Sequence, residues 1–112
     1  MNTKTLLTAI KDANGGASDY AVAKLLGVAK QNVSAWKNGK AFMSDAVGIR
    51  AAELLGLDPD IVLLDLHIER EAGNVTSPVW KSIRDRLEMA AAPAVVGLLG
   101  YAGGVLFGGP LV

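Results

Sequence analysis

The stretch that decides the fold is SDYAVAKLLGVAKQNVSAWKNGK, residues 18–40. It predicts two helices joined by a tight turn. Apolar residues at i, i+3 and i+4 mark the first helix, and Ser18 is its candidate N-cap. Gly27 ends that helix, because glycine adopts the left-handed conformation without a Cβ penalty. A second helix is predicted over residues 30–37, and an Asn-Gly pair closes it.

This second helix carries little apolar surface. With residues placed 100° apart, Val33 and Trp36 fall on one side and polar or small residues on the other. Glutamine can bond an adenine edge, lysine can reach guanine acceptors, and alanine can contact a thymine methyl group. An ordinary surface helix has a similar composition, so this helix alone does not decide the function. The candidate DNA-binding residues are Lys30, Gln31, Asn32, Ser34, Ala35, Lys37, Asn38 and Lys40, with Lys24 on the preceding helix.

The whole stretch resembles the helix-turn-helix of the Cro and lambda-repressor superfamily. Five positions carry the resemblance. Ala23 permits close helix approach and Gly27 allows the turn, while Val28, Val33 and Trp36 lock the second helix across the first. The resemblance implies a recognition helix in the major groove of duplex DNA, with flanking lysines on phosphates. It also implies a homodimer on two half-sites about 34 Å apart.

Two positions depart from the superfamily pattern. Ala29 stands where a hydroxyl cap is common, and Asp19 stands where a phosphate-contacting glutamine is frequent. A carboxylate repels phosphate, so that contact is not carried over to Asp19. Residues 52–74 and 79–87 resemble, in general texture, small helix-turn-helix proteins of filamentous phages. The resemblance implies a phage or prophage regulator.

Four further helices are predicted, so the fold is all-α. The resemblance to the Cro and lambda-repressor superfamily extends more loosely to a five- or six-helix DNA-binding domain over residues 1–88. The helix that starts at Asp58-Pro59 is apolar over most of its circumference, so we expect it to be buried on more than one side. It and the Trp80 helix are the candidate dimer surfaces. The first helix spans residues 3–13, another follows Ser44 and ends at Gly56, the fifth ends at Gly73-Asn74, and the sixth starts at Ser77-Pro78.

The zero net charge hides an uneven distribution. Residues 1–50 hold seven Lys/Arg against three Asp, a net +4, whereas residues 51–88 hold four against eight carboxylates, a net −4. Between Tyr20 and Ser44 there are four lysines and no acid. A local positive patch of this kind suits a polyanion, although a solvated lysine face is common.

Residues 89–112, MAAAPAVVGLLGYAGGVLFGGPLV, carry no charge and form a separate apolar tail. Their length approaches the ~20 residues of a membrane helix, and their glycines form two overlapping GxxxG spacings. Pro93 and Pro110 shorten the clean span to 16 residues, however. The tail is a candidate membrane helix; packing on the fifth helix, packing on a partner, or a loose tail are the alternatives.

Several classes of site are not expected. Cysteine is absent, and the single His67 lies between Asp65 and Glu69, where we expect a surface residue rather than a metal ligand. No nucleophile–base pair, metal cluster or phosphate-binding glycine loop is present in the sequence, so we expect no enzyme and no cofactor.

The sequence leaves two functions open. The first is a sequence-specific transcriptional regulator. The second is a membrane-tethered adaptor that uses the helix-turn-helix shape for protein contacts. Detergent-free solubility of residues 1–112 against residues 1–88 separates the two. No secretory signal is evident, so we expect a cytoplasmic protein, with the tail as a candidate tether to the inner face of the membrane.

Overall fold

The computed structural model describes the backbone of residues 1–100 and the side chains of residues 1–90. Within residues 1–100 the chain forms α-helices and no strand, which confirms the all-α prediction. Met1–Ser77 form one compact unit, which ends before the predicted tail boundary, and a second unit starts at Pro78. The helices are α1 (Thr3–Ala13), α2 (Asp19–Leu26), α3 (Lys30–Lys37), α4 (Asp45–Leu55), α5 (Pro59–Arg70) and α6 (Ser77–Gly100).

The helix starts follow local side-chain chemistry. Ser18 Oγ accepts a hydrogen bond from the Ala21 amide at 3.2 Å, and Ser44 Oγ caps α4 in the same way. Asp58 caps α5, which begins with a proline as predicted. Each such cap typically stabilises a helix by about 1 kcal/mol. The cap of α1, Asn2, was not anticipated; its side chain accepts from the Thr5 amide at 2.9 Å.

The core of the first unit lies among α1 to α5. α1 contacts α3 and α4, α2 contacts α3 and α4, and α5 packs on α4. The loop between α3 and α4 adds Met43, which is fully buried and was not predicted as a core residue. The buried apolar residues are Leu6, Leu7, Ile10, Val22, Ala23, Leu26, Val33, Trp36, Met43, Ala51, Ala52, Val62 and Leu66.

Gly48 allows α4 and α5 to approach closely. A Cβ added there would overlap the Leu66 Cδ1 atom and would lie 3.7 Å from Val62 Cγ1. Glycine inside a helix costs about 1 kcal/mol relative to alanine. The close packing of Leu66, which is fully buried, explains why a glycine occupies this position in α4.

The fifth helix differs from its prediction at its C-terminal end. α5 ends at Arg70 rather than at Gly73-Asn74, because the chain changes to i−3 hydrogen bonds such as Ala72 N–H to Glu69 O at 3.3 Å. Gly73 follows in these turns with a φ of +89°. On α5, Val62 and Leu66 are buried, and the remaining apolar residues Ile61, Leu63, Leu64 and Ile68 are partly buried.

His67 is partly buried, whereas the sequence predicted a surface residue. Its Nε2 atom is buried, on a helix that packs on α4.

The predictions for the apolar tail fall mostly outside the described residues. The backbone of α6 reaches Gly100, and residues 101–112 lie beyond it. Among the described residues, no helix combines the length and the apolar character that crossing a bilayer requires. The membrane helix over residues 89–112 therefore stays a prediction.

Candidate nucleic-acid interface

The turn between α2 and α3 has the geometry that the sequence predicted. Gly27 has a φ of +70°, in the left-handed region. Its own N–H bonds to Lys24 O at 3.3 Å, and the Val28 N–H bonds to Ala23 O at 3.0 Å. These two bonds satisfy carbonyl groups at the end of α2. Ala23 is 3% exposed, so its small side chain lies inside the motif, as predicted for a helix crossing.

The inner side of α3 is held by two side chains. Val33 is fully buried and Trp36 is 4% exposed, and both belong to the core of the first unit. Val28, the residue after the turn, is partly buried and packs against the core. The contacts of α3 with α1 and α2 therefore fix which side of the helix faces outward.

The outer side of α3 is polar and accessible. Ser34 and Ala35 are partly buried, and their carbonyl groups accept bonds from the Asn38 and Lys40 amides at 3.0 and 2.8 Å. The side chains of Ser34 and Ala35 are short, so they extend less far from the helix than the exposed candidate residues. The exposed candidate residues are Lys30, Gln31, Asn32, Lys37, Asn38 and Lys40 on or after α3, and Lys24 on α2.

The start of α3 lacks a side-chain cap. Ala29 occupies the N-cap position with φ −74° and ψ 148°, and no side chain bonds the first turn there. The first turn also contains no acidic residue. The first turn of α3 is therefore not capped by a side-chain hydroxyl, as the alanine at position 29 implies.

Asp19 links three helices. Its carboxylate accepts from Lys11 Nζ of α1 at 2.6 Å and from Lys37 Nζ of α3 at 2.9 Å. The hydrogen bond from Lys11, followed by that from Lys37, lowers the pKa of Asp19 from 3.8 to about 2. From the sequence, Asp19 was only a departure from the superfamily pattern, a carboxylate that would repel phosphate. Its partners lie 8 and 18 residues away, and no spacing rule connects them.

Lys24 lies beside an exposed aromatic residue that sequence reasoning did not include. Its Nζ is 5.1 Å from the centre of the Tyr20 ring, and Tyr20 is 58% exposed. A cation over an aromatic face gains about 0.5–1 kcal/mol at exposed sites. This contact restrains Lys24 on the outer side of α2.

The loop that carries Lys40 is fixed by buried hydrogen bonds. Thr3, 2% exposed, accepts from the Met43 amide at 3.1 Å and donates from its hydroxyl to Glu69 Oε1 at 2.6 Å. Arg70 donates to Met43 O at 3.4 Å. We call Thr3, Met43 and Glu69 the Thr3 junction. It joins the N-terminal end of α1, the loop after α3 and the end of α5.

An open depression of about 460 Å³ lies beside α2, and the candidate DNA-binding residue Lys24 belongs to its lining. Arg50 is part of its lining and donates from Nε to Leu25 O at 3.3 Å. The lining contains no carboxylate, histidine or hydroxyl that could act as a general base. Among the described residues, no three His, Asp or Glu side chains are grouped closely enough to hold a metal ion.

Compared with protein-family models, with curated proteins and with solved structures, the chain shows no match. The resemblance of residues 18–40 to the Cro and lambda-repressor superfamily stays a prediction that rests on the residues themselves.

Proposed function

We propose that this protein is a sequence-specific DNA-binding transcriptional regulator of the repressor or Cro-like type that phages and prophages encode. One observation carries the proposal. α3 buries Val33 and Trp36, and its polar side chains, Gln31 and Asn32 among them, remain exposed on a basic surface. A helix fixed from one side and polar on the other is suited to contact with base edges.

The dimensions of a helix suit the major groove. An α-helix with its side chains is about 10–12 Å across, and the major groove of B-DNA is about 12 Å wide. The short side chains of Ser34 and Ala35 let the axis of α3 approach the bases. Gln31 would then bond an adenine edge with its amide, which donates and accepts together.

Lysines around α3 supply attraction that does not depend on sequence. Lys24 on α2 and Lys40 in the loop after α3 are both exposed. Each phosphate neutralised adds about −0.9 to the slope of log K against log salt for duplex DNA. Lys24 and Lys40 together would give a slope of about −1.8 for each protomer, and a third contact, from Lys37, would bring it to at most about −2.7.

A homodimer is part of the proposal. Two copies of α3 would meet successive major-groove faces about 34 Å apart, so the bound site would be an inverted repeat. Dimerisation also doubles the number of base and phosphate contacts.

The test is a selection of bound sequences from random duplex DNA, followed by binding titrations on the enriched sequence and on a scrambled one. We expect an enriched inverted repeat. Gln31→Ala should relax the preference at one base position in each half-site, whereas Lys40→Gln should weaken binding to both duplexes alike. Thr8→Ala, an exposed change on α1, is the matched control and should alter neither titration.

Two outcomes would contradict the proposal. One is a selection without enrichment by a protein that is folded and monodisperse. The other is an enriched sequence whose binding is unchanged in Gln31→Ala. Flotation of the full chain with vesicles, together with no DNA binding, would favour the membrane-tethered adaptor instead.

A further inference from the structure

Asp19 is more buried than Lys37, the lysine of α3 to which it is bonded. Its side chain is 16% exposed, whereas that of its partner Lys37 is 52% exposed. The ammonium group of Lys37 therefore remains open to solvent on its outer side while its inner side contacts the carboxylate. Lys11, at 26% exposure, holds the other carboxylate oxygen and fixes the group relative to α1.

This arrangement alters the charge that α3 presents. α3 contains two lysines and no acid. Because Lys37 is bonded to Asp19 at 2.9 Å, a phosphate that approaches it meets a partly neutralised cation. The attraction at the C-terminal end of α3 is therefore weaker than the sequence of the helix alone predicts.

Specific and nonspecific binding depend differently on this charge. Nonspecific binding derives almost entirely from attraction to phosphates, whereas specific binding adds contacts to base edges. An unpaired lysine on a flexible stem can reach phosphates in many registers. A lysine held by a carboxylate has a fixed position and contacts a phosphate in few of them.

We infer that Asp19 is a positioning residue that limits nonspecific DNA binding, because it holds Lys37 in one place and offsets part of its charge. This inference rests on the proposed function. It also assigns a role to the departure at this position from the glutamine that is frequent in the superfamily. Asp19 does not contact DNA; it acts through Lys37.

The inference is tested with Asp19→Asn, which keeps the shape of the side chain and removes its charge. Binding to the selected sequence and to a scrambled duplex is measured between about 50 and 200 mM salt. We expect the scrambled duplex to gain up to about one phosphate contact, which adds about −0.9 to its salt slope and up to about eightfold in affinity at 0.1 M salt. The selected sequence should gain less, so the specificity ratio should fall.

Asp12→Asn is the matched control. Asp12 is an exposed acid on α1, and its removal changes the net charge of the protein by the same amount. We expect it to raise the affinity for both duplexes slightly and equally. The double variant Asp19→Asn with Lys37→Gln tests whether Asp19 acts through Lys37. If it does, the loss of Lys37 should abolish the effect of Asp19→Asn on the ratio of specific to nonspecific affinity.

The outcomes separate the inference from the proposed function. A wild-type protein that does not discriminate between the two duplexes overturns the proposed function and, with it, the role of Asp19. A discriminating wild type whose Asp19→Asn variant behaves like Asp12→Asn overturns the inference alone. If Asp19→Asn does not fold, Lys37→Gln is compared with Lys40→Gln. A smaller loss of salt slope for Lys37→Gln supports the inference, and an equal loss overturns it.

Discussion

α2 and α3 are both eight residues long but are held in place by different means. α2 starts with a serine cap, has Asp19 in its first turn and ends in a left-handed glycine. α3 has no side-chain cap, no acid in its first turn and only Val33 and Trp36 buried. An isolated helix of this length is marginal in water, so α3 depends on its neighbours. Both helices therefore rely on tertiary packing, α2 through Val22, Ala23 and Leu26, but only α2 adds local stabilisation from a side-chain cap and an acid in its first turn.

The largest effect that tests this comparison is expected at Trp36. Trp36→Ala should destabilise the first unit by about 3–5 kcal/mol, because a cavity would replace the main anchor of α3. Domains of this kind unfold at a cost of about 5–15 kcal/mol, so the loss would be severe. Chemical denaturation measures it. Phe42→Ala, which truncates an aromatic residue that is 49% exposed, is the control and should have little effect. Equal stability of the two variants would show that α3 does not rest on Trp36.

Substitutions on the outer side of α3 should weaken DNA binding and leave the stability of the protein unchanged. Gln31→Ala is expected to weaken binding to the selected sequence by about 1–3 kcal/mol, as the loss of a bidentate base contact does. Because Gln31 is exposed, the free energy of unfolding should stay within about 0.5 kcal/mol of that of the wild type. Fluorescence anisotropy and denaturation on the same samples give both numbers. A variant that loses stability and keeps its affinity would reverse the assignment of the two sides.

The two helix starts offer a smaller and more direct comparison. Ser18→Ala should destabilise the protein by about 1 kcal/mol, because it removes the cap of α2. Ala29→Ser should stabilise it by about 0.5–1 kcal/mol, because the extended backbone at Ala29 allows a serine hydroxyl to cap α3. Thermal unfolding of the two variants should shift in opposite directions. A shift in the same direction would show that local capping does not separate α2 from α3.

The smallest expected effect concerns the two ion pairs of Asp19, one with Lys37 of α3 and one with Lys11 of α1. The pKa of Asp19 is lowered from 3.8 to about 2 in the folded protein. A lowered pKa contributes stability above the unfolded value, and this contribution is lost as the pH falls from about 3.8 towards 2. Each pair is worth about 0.2–1 kcal/mol, since Lys37 is half exposed.

The measurement for Asp19 is the difference in melting temperature between the wild type and Asp19→Asn as a function of pH. We expect the difference to be constant near neutral pH and to shrink as the solution is acidified below pH 3.8. A difference that does not depend on pH would mean that the carboxylate charge does not stabilise the motif.

Local chemistry is what made much of this fold predictable. Ser18 was predicted as a cap, and helix starts were placed at Ser44 and Asp58, because each precedes an apolar helical pattern. Gly27 was predicted as a turn because it follows one. The anchors of α3 could be predicted because Val33 and Trp36 share a side at helical spacing. The outward residues of α3 were then predicted as those that remain once Val33 and Trp36 are assigned to the core.

Contacts between distant residues were not predictable in this way. The bond from Thr3 to Glu69 joins residues 66 positions apart, and Asp19 meets Lys37 across 18 positions. Periodicity describes one element at a time and does not show which polar groups will meet after packing. The end of α5 was also misplaced. Gly73-Asn74 is a strong breaker signal, but the backbone hydrogen bonds already change from i−4 spacing at Glu71 to i−3 spacing at Ala72.

The Thr3 junction has a consequence for the order of folding events. It connects residues 3, 43 and 69, which span almost the whole first unit, so it closes only after the intervening helices have been brought together. Contacts between residues far apart in sequence are costly to form early, whereas the α2–α3 pair closes a short segment of chain. Thr3→Val should therefore accelerate unfolding and leave the folding rate nearly unchanged, which corresponds to a φ-value near zero. A φ-value near zero, measured by stopped-flow folding and unfolding, would show that the junction forms after the transition state and that it slows unfolding, and so prolongs the lifetime of the native state.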